Sequence, residues 1–508
     1  MQLFRTKSVE QTIAETGEEG RKLKRNLTWW DLSIMGCGRS RGRGIFSVGA
    51  QAAAFHAGPA VIISFLIAGI VCGAAVMCYA EFASMIPVAG SAYTFTYTTV
   101  GEIMAWIIGW DLILEMLMAG SVISKYWGVY LNDFMRLMGW NANTNLTFGS
   151  FHIDIAPIII VAFFTTLLVF GTKIGARVDG AMTVLKIAIV FFVVIVGFFY
   201  VKASNFTPFI PPSQPASTVE GSSAVTGVMT QPLWQFATGM TPSVYGVPGI
   251  LSGAALVFFA FIGFDVVATA SEETKNPHKN VPLGIGVGML LIIVMYMLVA
   301  VVTTGMVSYA DLAKQDSPSL ATAFELVGAD WAAKIISFGI VLGLATVVMV
   351  LLLGLTRIVF AMSRDGLLPR GLSKTGKHGT PAALQIVVGA VVALVAAFFD
   401  IGVLSDMVNI GTLSAFTLVA ISIPIMRKKR PDLPRAFKMP GSPWIPILIA
   451  VANFWLMLNL SVLTWIRFVV WLVVGFAIYF GYGYWHARLG KGDLTETLSA
   501  ETDKAVNG

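Results

Sequence analysis

Apolar and polar positions along this chain fall in blocks. Runs of about twenty mostly apolar residues, the length needed to cross a bilayer, are divided by short polar breaks. Reading these runs as helices predicts about twelve membrane spans. They fall near 30–51, 59–83, 101–130, 153–171, 180–201, 249–271, 282–307, 331–361, 381–400, 403–426, 444–463 and 466–486. The long third and eighth are expected to tilt or to run past the lipid. The break at 202–248 is rich in Pro, Ser, Thr and Gly and reads as an irregular extracellular excursion. The expected organisation is a cytoplasmic tail at 1–28, one transmembrane domain over 29–487 and a cytoplasmic tail at 488–508.

Composition supports this pattern. The 508 residues are 56% hydrophobic and only 12% charged, against about 25% charged in a soluble chain. The net charge of +6 does not suggest nucleic acid, because the basic residues sit in short runs between apolar segments. Their placement orients the chain. Lys173 and Arg177, Lys275 and Lys279, Arg370, Lys374 and Lys377, and the run Arg427, Lys428, Lys429 and Arg430 all fall in alternate breaks, which are assigned to the cytoplasm. The other breaks are poor in positive charge, so both termini are expected inside. Cys37, Cys72 and Cys78 form no disulfide or metal pattern and are expected to be packing residues. The five histidines are scattered, so no metal site is expected. No nucleophile motif or phosphate-binding loop is visible. An enzyme is therefore not expected, nor ATP coupling.

Two predicted spans are interrupted. The first contains Gly36, Gly38, Gly42 and Gly44, each costing a helix about 1 kcal/mol relative to alanine. The sixth contains Gly263 followed by Phe264 and Asp265. Five spans separate the breaks, which is the mark of an inverted repeat. A break inside a membrane frees N–H and C=O groups and is tolerated only where it is buried in protein or lines a cavity. Helix N-termini suit a carboxylate, and freed carbonyls suit an ammonium. The competing reading is that the glycines only permit close helix packing.

The chain resembles the amino acid–polyamine–organocation superfamily, and its cationic amino acid transporter branch in particular. The glycine framework of residues 36–46 with Ala57-Gly58-Pro59-Ala60 carries part of the likeness. Phe258-Phe259-Ala260-Phe261-Ile262-Gly263-Phe264-Asp265, followed by Glu272-Glu273-Thr274-Lys275-Asn276-Pro277, carries more. The rest is Thr356-Arg357 leading to residues 361–369, with Tyr79-Ala80-Glu81-Phe82 and the segment 87–93. The resemblance implies an all-α membrane protein with a five-plus-five inverted repeat, broken helices one and six, and two further C-terminal helices. It implies that a substrate carboxylate meets backbone N–H groups around Gly42, Arg43 and Gly44. The ammonium would meet carbonyls near Ser40 and Arg41 and those of Phe259, Ala260 and Ile262. Glu115 resembles the residue that faces the substrate side chain. Lys186 resembles the lysine of proton-coupled members, where an ammonium stands in for a sodium ion.

The sequence departs from the family at Arg39, Arg41 and Arg43, where small or apolar residues are usual. Charges within a membrane cost at least about 2.5–3.5 kcal/mol each unless paired or hydrated. Three readings remain open: an anion-favouring site, a disabled transporter, or an irregular stretch of sequence. Asp111 and Glu115 share a face at i,i+4 spacing, and one of them is a candidate partner for Lys125 or for an arginine of span one. Lys186 has a competing reading as a snorkelling residue only about one and a half turns into its span. Asp265 is expected to cap the helix after the sixth break, and Arg357 with the Arg364–Asp365 pair to anchor inner loops.

The functional expectation is a secondary active amino acid transporter, importing small neutral or cationic L-amino acids with protons by alternating access. Its expected partners are an amino acid substrate and the lipid bilayer, with no nucleic acid, and a small membrane subunit is left open. The rival is a non-transporting membrane sensor or scaffold on the same fold. No cofactor is expected, the proton gradient being the energy source.

Overall fold

A computed structural model describes residues 5–6, 28–30, 32–33, 48–85, 91–140, 144–148, 151–170, 173–216, 227, 229–262, 274–315, 318–374, 380–429, 431, 435 and 437–488. The fold is all-α apart from short hairpins, as a bilayer demands, because each spanning segment must satisfy its own backbone polar groups. Among the described helices are α1 (Gly49–Ala52), α2 (Val61–Met85), α3 (Glu102–Leu137), α4 (Ile155–Phe170), α5 (Lys173–Phe198) and α6 (Gly246–Val257), with a shorter helix at Ser91–Thr99 between α2 and α3. They continue as α7 (Pro277–Met306), α8 (Asp330–Arg364), α9 (Ala382–Phe398), α10 (Ile401–Lys429), α11 (Trp444–Leu458) and α12 (Val462–Ile478).

Six of the described helical stretches are long and apolar enough to cross a membrane, and five more are shorter apolar helices. The expected gap between spans one and two is not a loop. A π turn at Ala53–Ala57 carries α1 onward, Gly58 reverses the chain at φ 60°, and a 3-10 turn at Gly58–Ala60 starts α2. A Cβ on Gly58 would stand 2.8 Å from Pro211 Cγ, so both the dihedral and the space require glycine here. Residues 34–47, which hold the first expected break, lie outside the described residues. Span five begins at Lys173 rather than near 180, because its polar first turns remain helical beyond the apolar run. Before α4 the chain forms a hairpin, β1 (Asn145–Phe148) and β2 (Phe151–Asp154), which the apolar pattern did not reveal.

Helix α3 is the centre of the packing, with α8 and α10 along its length and α4 and α9 beside it. Helix α2 lies between α6 and α7, α5 lies on α8, and α11 lies on α10. Helix α12 is tied to α3 by a stacked indole pair. The Trp110 and Trp471 rings are 4.5 Å apart, and each Nε1–H donates to the other's carbonyl, at 2.8 and 3.3 Å.

Two ends can be told apart. At the basic end, which carries Arg427 to Lys429, Arg427 grips both carboxylate oxygens of Glu81 at 2.9 and 2.6 Å. The Met439 N–H donates to Glu81 Oε2 at 2.7 Å. Close by, Tyr93 donates to Asp365 at 2.8 Å, and Tyr97 and Tyr479 both donate to Glu102. Burial, with Asp365 adding to it, raises the Tyr93 phenol well above its usual range, so it stays a donor. At the opposite end Arg136 pairs with Glu325 at 2.8 Å, and Lys125 pairs with Asp154 at 3.6 Å. Segment 229–233 of the long excursion is clipped to the α11–α12 turn. Leu233 N–H donates to Leu460 O, Val462 N–H to Gln231 O, and Leu463 N–H to Met229 O.

Candidate substrate-binding site

The sixth span breaks where the sequence puts the Phe-rich segment. Helix α6 runs to Val257, tightens into a 3-10 turn at Phe258–Phe261, and leaves helical geometry at Ile262, where φ is −62° and ψ 144°. Phe258, Phe259, Ala260, Phe261 and Ile262 are all fully buried. A helix that ends inside protein frees its last carbonyls, and these must find donors. Neighbouring helices supply them. Asn409 of α10 reaches Leu256 O at 3.5 Å, Tyr296 of α7 donates to Ala260 O at 2.9 Å, and the Cys72 thiol of α2 lies 3.9 Å from Phe261 O.

This qualifies the expectation for the break. Ala260 O already accepts from Tyr296, and Phe259 O accepts from the Ile262 N–H at 3.3 Å. Both carbonyls are therefore already engaged in holding the break together. The surroundings are aromatic. Phe258 meets Phe416 edge-on at 6.0 Å, Phe416 meets Tyr79 at 5.3 Å, and Phe261 lies 5.1 Å from Tyr296.

Ser40, Arg41, Gly42, Arg43 and Gly44 lie outside the described residues, as do Arg39, Gly263 and Asp265. Where span one becomes describable again it is joined to α6. The Tyr245 N–H donates to His56 O at 2.8 Å, its hydroxyl to Ala54 O at 2.7 Å, and His56 Nδ1 lies 3.1 Å from Ser252 Oγ. The two halves thus share a hydrogen-bonded seam.

Glu115 is 1% exposed on α3, closed into the helix bundle. One turn earlier Asp111 is equally buried, and its Oδ2 meets Ser414 Oγ of α10 in a very short contact. The candidate pairing of Asp111 or Glu115 with Lys125 does not occur. Lys125 is engaged by Asp154 and by Ala396 O, because it lies more than two turns farther along α3, at the hairpin end.

Lys186 is 1% exposed. It stands thirteen residues from the first residue of α5, about 20 Å along the helix at 1.5 Å per residue. Its stem lies over α8. A Cβ built on Gly343 would be 3.1 Å from Lys186 Cγ and 3.5 Å from Cε. The snorkelling reading is therefore corrected: the side chain turns into the protein between α5 and α8. Arg357 is exposed, and Asp365 takes the Tyr93 hydroxyl. Cys72 and Cys78 are buried thiols, and no cluster of metal-ligating residues occurs among the described residues.

Sequence reasoning missed Tyr296, Asn409, Ser414 and Gly343. Asn409 had a signal, an amide inside an apolar run. Tyr296 had a weaker one, and the other two had none.

The comparisons with known proteins agree with this architecture. The family model described as amino acid permease matches residues 27–482. The branched-chain amino acid permease of Bacillus subtilis is 42% identical, covering 96% of this chain and 99% of its own length. The methylthioribose transporter of the same organism is 38% identical with the same coverage. Cationic amino acid transporter 3 of Arabidopsis thaliana is 36% identical over 82% of this chain and 64% of its own. These relatives are permeases and transporters rather than enzymes. A match over nearly the whole length, on a bundle of apolar helices with a buried break in its sixth span, is decisive: this chain is an integral membrane protein of the amino acid permease family.

Proposed function

We propose that the chain is a secondary active transporter importing amino acids with protons, and that small neutral side chains fit it best. The observation that carries this reading is the α6 break, where helical geometry ends fully buried inside a sheath of aromatic rings. The carbonyls suit the ammonium group common to all amino acids, and the rings suit an apolar side chain. The kinship with a branched-chain permease supports the same choice. A cationic substrate is the second reading, favoured by the buried Glu115. The span-one residues Ser40, Arg41, Gly42, Arg43 and Gly44 would complete the site by their backbone. Lys186 would carry the coupling role, its ammonium turned in toward α8. The basic end would face the cytoplasm.

The test is thermal stability of the purified protein against the twenty amino acids, followed by uptake into proteoliposomes with and without an inward proton gradient. Stabilisation by leucine-like amino acids supports the first reading, and by lysine or arginine the second. If only the variant with Arg39→Ala, Arg41→Ile and Arg43→Thr binds, the arginines disable the native site. If neither protein binds, the sensor or scaffold reading replaces transport. Lys186→Met is expected to keep substrate binding and lose gradient-driven accumulation.

A further inference from the structure

A second titratable group lies close to the site and has no role in the reading above. Asp111 and Ser414 meet between α3 and α10, with Ser414 thirteen residues from one end of α10 and fifteen from the other. It is therefore in the middle of a membrane-crossing helix. It lies five residues, about 7 Å along the helix, from Asn409, which caps the α6 break. The helices touch closely here. A Cβ on Gly411 would stand 3.6 Å from Asp111 O and 3.8 Å from the Glu115 nitrogen.

The hydrogen-bond inventory at this contact is short of protons if Asp111 is ionised. Its Oδ2 meets Ser414 Oγ, and its Oδ1 has no hydrogen-bond partner among the described residues. Ser414 Oγ also lies 3.1 Å from Gly411 O. A hydroxyl has one proton to donate, so it cannot serve the carboxylate and the carbonyl together. A neutral Asp111 resolves the conflict. The acid proton goes to Ser414 Oγ, the serine proton goes to Gly411 O, and each donor has one acceptor. An isolated carboxylate would also carry the large cost of a buried charge.

No compensating cation is at hand among the described residues. The charged and titratable groups on α3 and the elements packed against it are Glu102, Glu115, Lys125, Tyr126, Tyr130, Asp133 and Arg136 on α3 itself, Asp406, Arg427, Lys428 and Lys429 on α10, Asp330, Lys334, Arg357 and Arg364 on α8, Arg467 on α12, and Tyr93 and Tyr97 from the 91–99 helix. None of them is hydrogen-bonded or ion-paired to Asp111. Lys125 and Arg427 are engaged elsewhere, with Asp154 and Glu81.

We infer that Asp111 is held as a neutral carboxylic acid donating to Ser414, and that this proton is one taken up and released as substrate crosses, at a site separate from Lys186. The inference rests on the transport reading for its second half. In the step itself the O–H bond of Asp111 breaks, the proton leaves to water, and the carboxylate later regains a proton from the side of higher acidity.

Infrared difference spectroscopy on wild type and Asp111→Asn tests the first half without any substrate. The wild type is expected to show a protonated carboxylic acid C=O band that is missing from D111N. Equal spectra overturn the inference. If D111N does not reach the membrane, Ser414→Ala carries the test: the acid band shifts when its acceptor is removed, and an unmoved band overturns the inference. Proteoliposomes with L-leucine and L-lysine as probes test the second half. D111N is expected to keep counterflow, which moves no net proton, and to lose stimulation by an inward proton gradient. Full stimulation in D111N overturns the inference. Absence of uptake by the wild type instead sinks the transport reading and leaves the infrared result standing by itself.

Discussion

Glu81, near the basic end of α2, and Asp111, inside α3, are closed from solvent to the same degree, at 0% and 1% exposure. Their partners differ completely. Glu81 receives two charge-assisted bonds from Arg427 and one from the Met439 backbone, with Arg435 a further 3.9 Å away. Asp111 receives a single serine hydroxyl that a carbonyl also claims. Such a full complement of fixed donors makes a carboxylate a clamp. A partner that works only with the neutral form leaves the proton exchangeable. The same chemical group is thus a rivet at one level of the bundle and a proton carrier at another, and the difference lies in what α10 and the segment after it present to it.

Arg427→Ala should give the largest break in this comparison. It leaves Glu81 buried with its main counter-charge gone, and the expected loss is about 3–5 kcal/mol, read as a fall in the melting temperature of the detergent-solubilised protein. Glu81→Gln removes the charge and keeps the shape. Its amide nitrogen would face the Arg427 donors, for an expected cost of about 1–3 kcal/mol. Combining Glu81→Gln with Arg427→Met should cost less than the two single changes together, and strict additivity would refute the clamp. Tyr296→Phe takes the donor from Ala260 O at the α6 break. A loss of about 1 kcal/mol in stability is expected, with a change in substrate affinity that a purely structural hydroxyl would not cause. Asp111→Asn should have the smallest effect on stability, under about 1 kcal/mol, because an amide N–H can donate to Ser414 as the acid O–H does. A loss for D111N as large as that for E81Q would place the two carboxylates in one class and remove the contrast.

The apolar runs made most of the fold legible, since a span must be long, apolar and self-satisfied in its backbone. The end of helical geometry after Phe258–Phe261 was legible for the same reason, as Gly263 and Asp265 interrupt the apolar run just beyond it in the sequence. Pairing was not legible. Ser414 is 303 residues from Asp111 and Arg427 is 346 from Glu81, and residue types by themselves do not say which helix faces which. Which way the Lys186 side chain turns was not legible, because its place in α5 does not say that Gly343 of α8 leaves room beside it. The reversal at Gly58 falls in the gap read between spans one and two, but the π turn at Ala53–Ala57 that carries α1 into that gap was not legible, because those residues have no signature of it.

The 346 residues between Glu81 and Arg427 also set a waiting time during synthesis. At ribosomal rates of about 5–20 residues per second, α2 emerges roughly 20–70 s before the arginine that will hold its acid. Through that interval Glu81 is without the guanidinium that later holds it, so the clamp on the second helix closes late. Its last seating belongs to the end of translation, when α10 arrives.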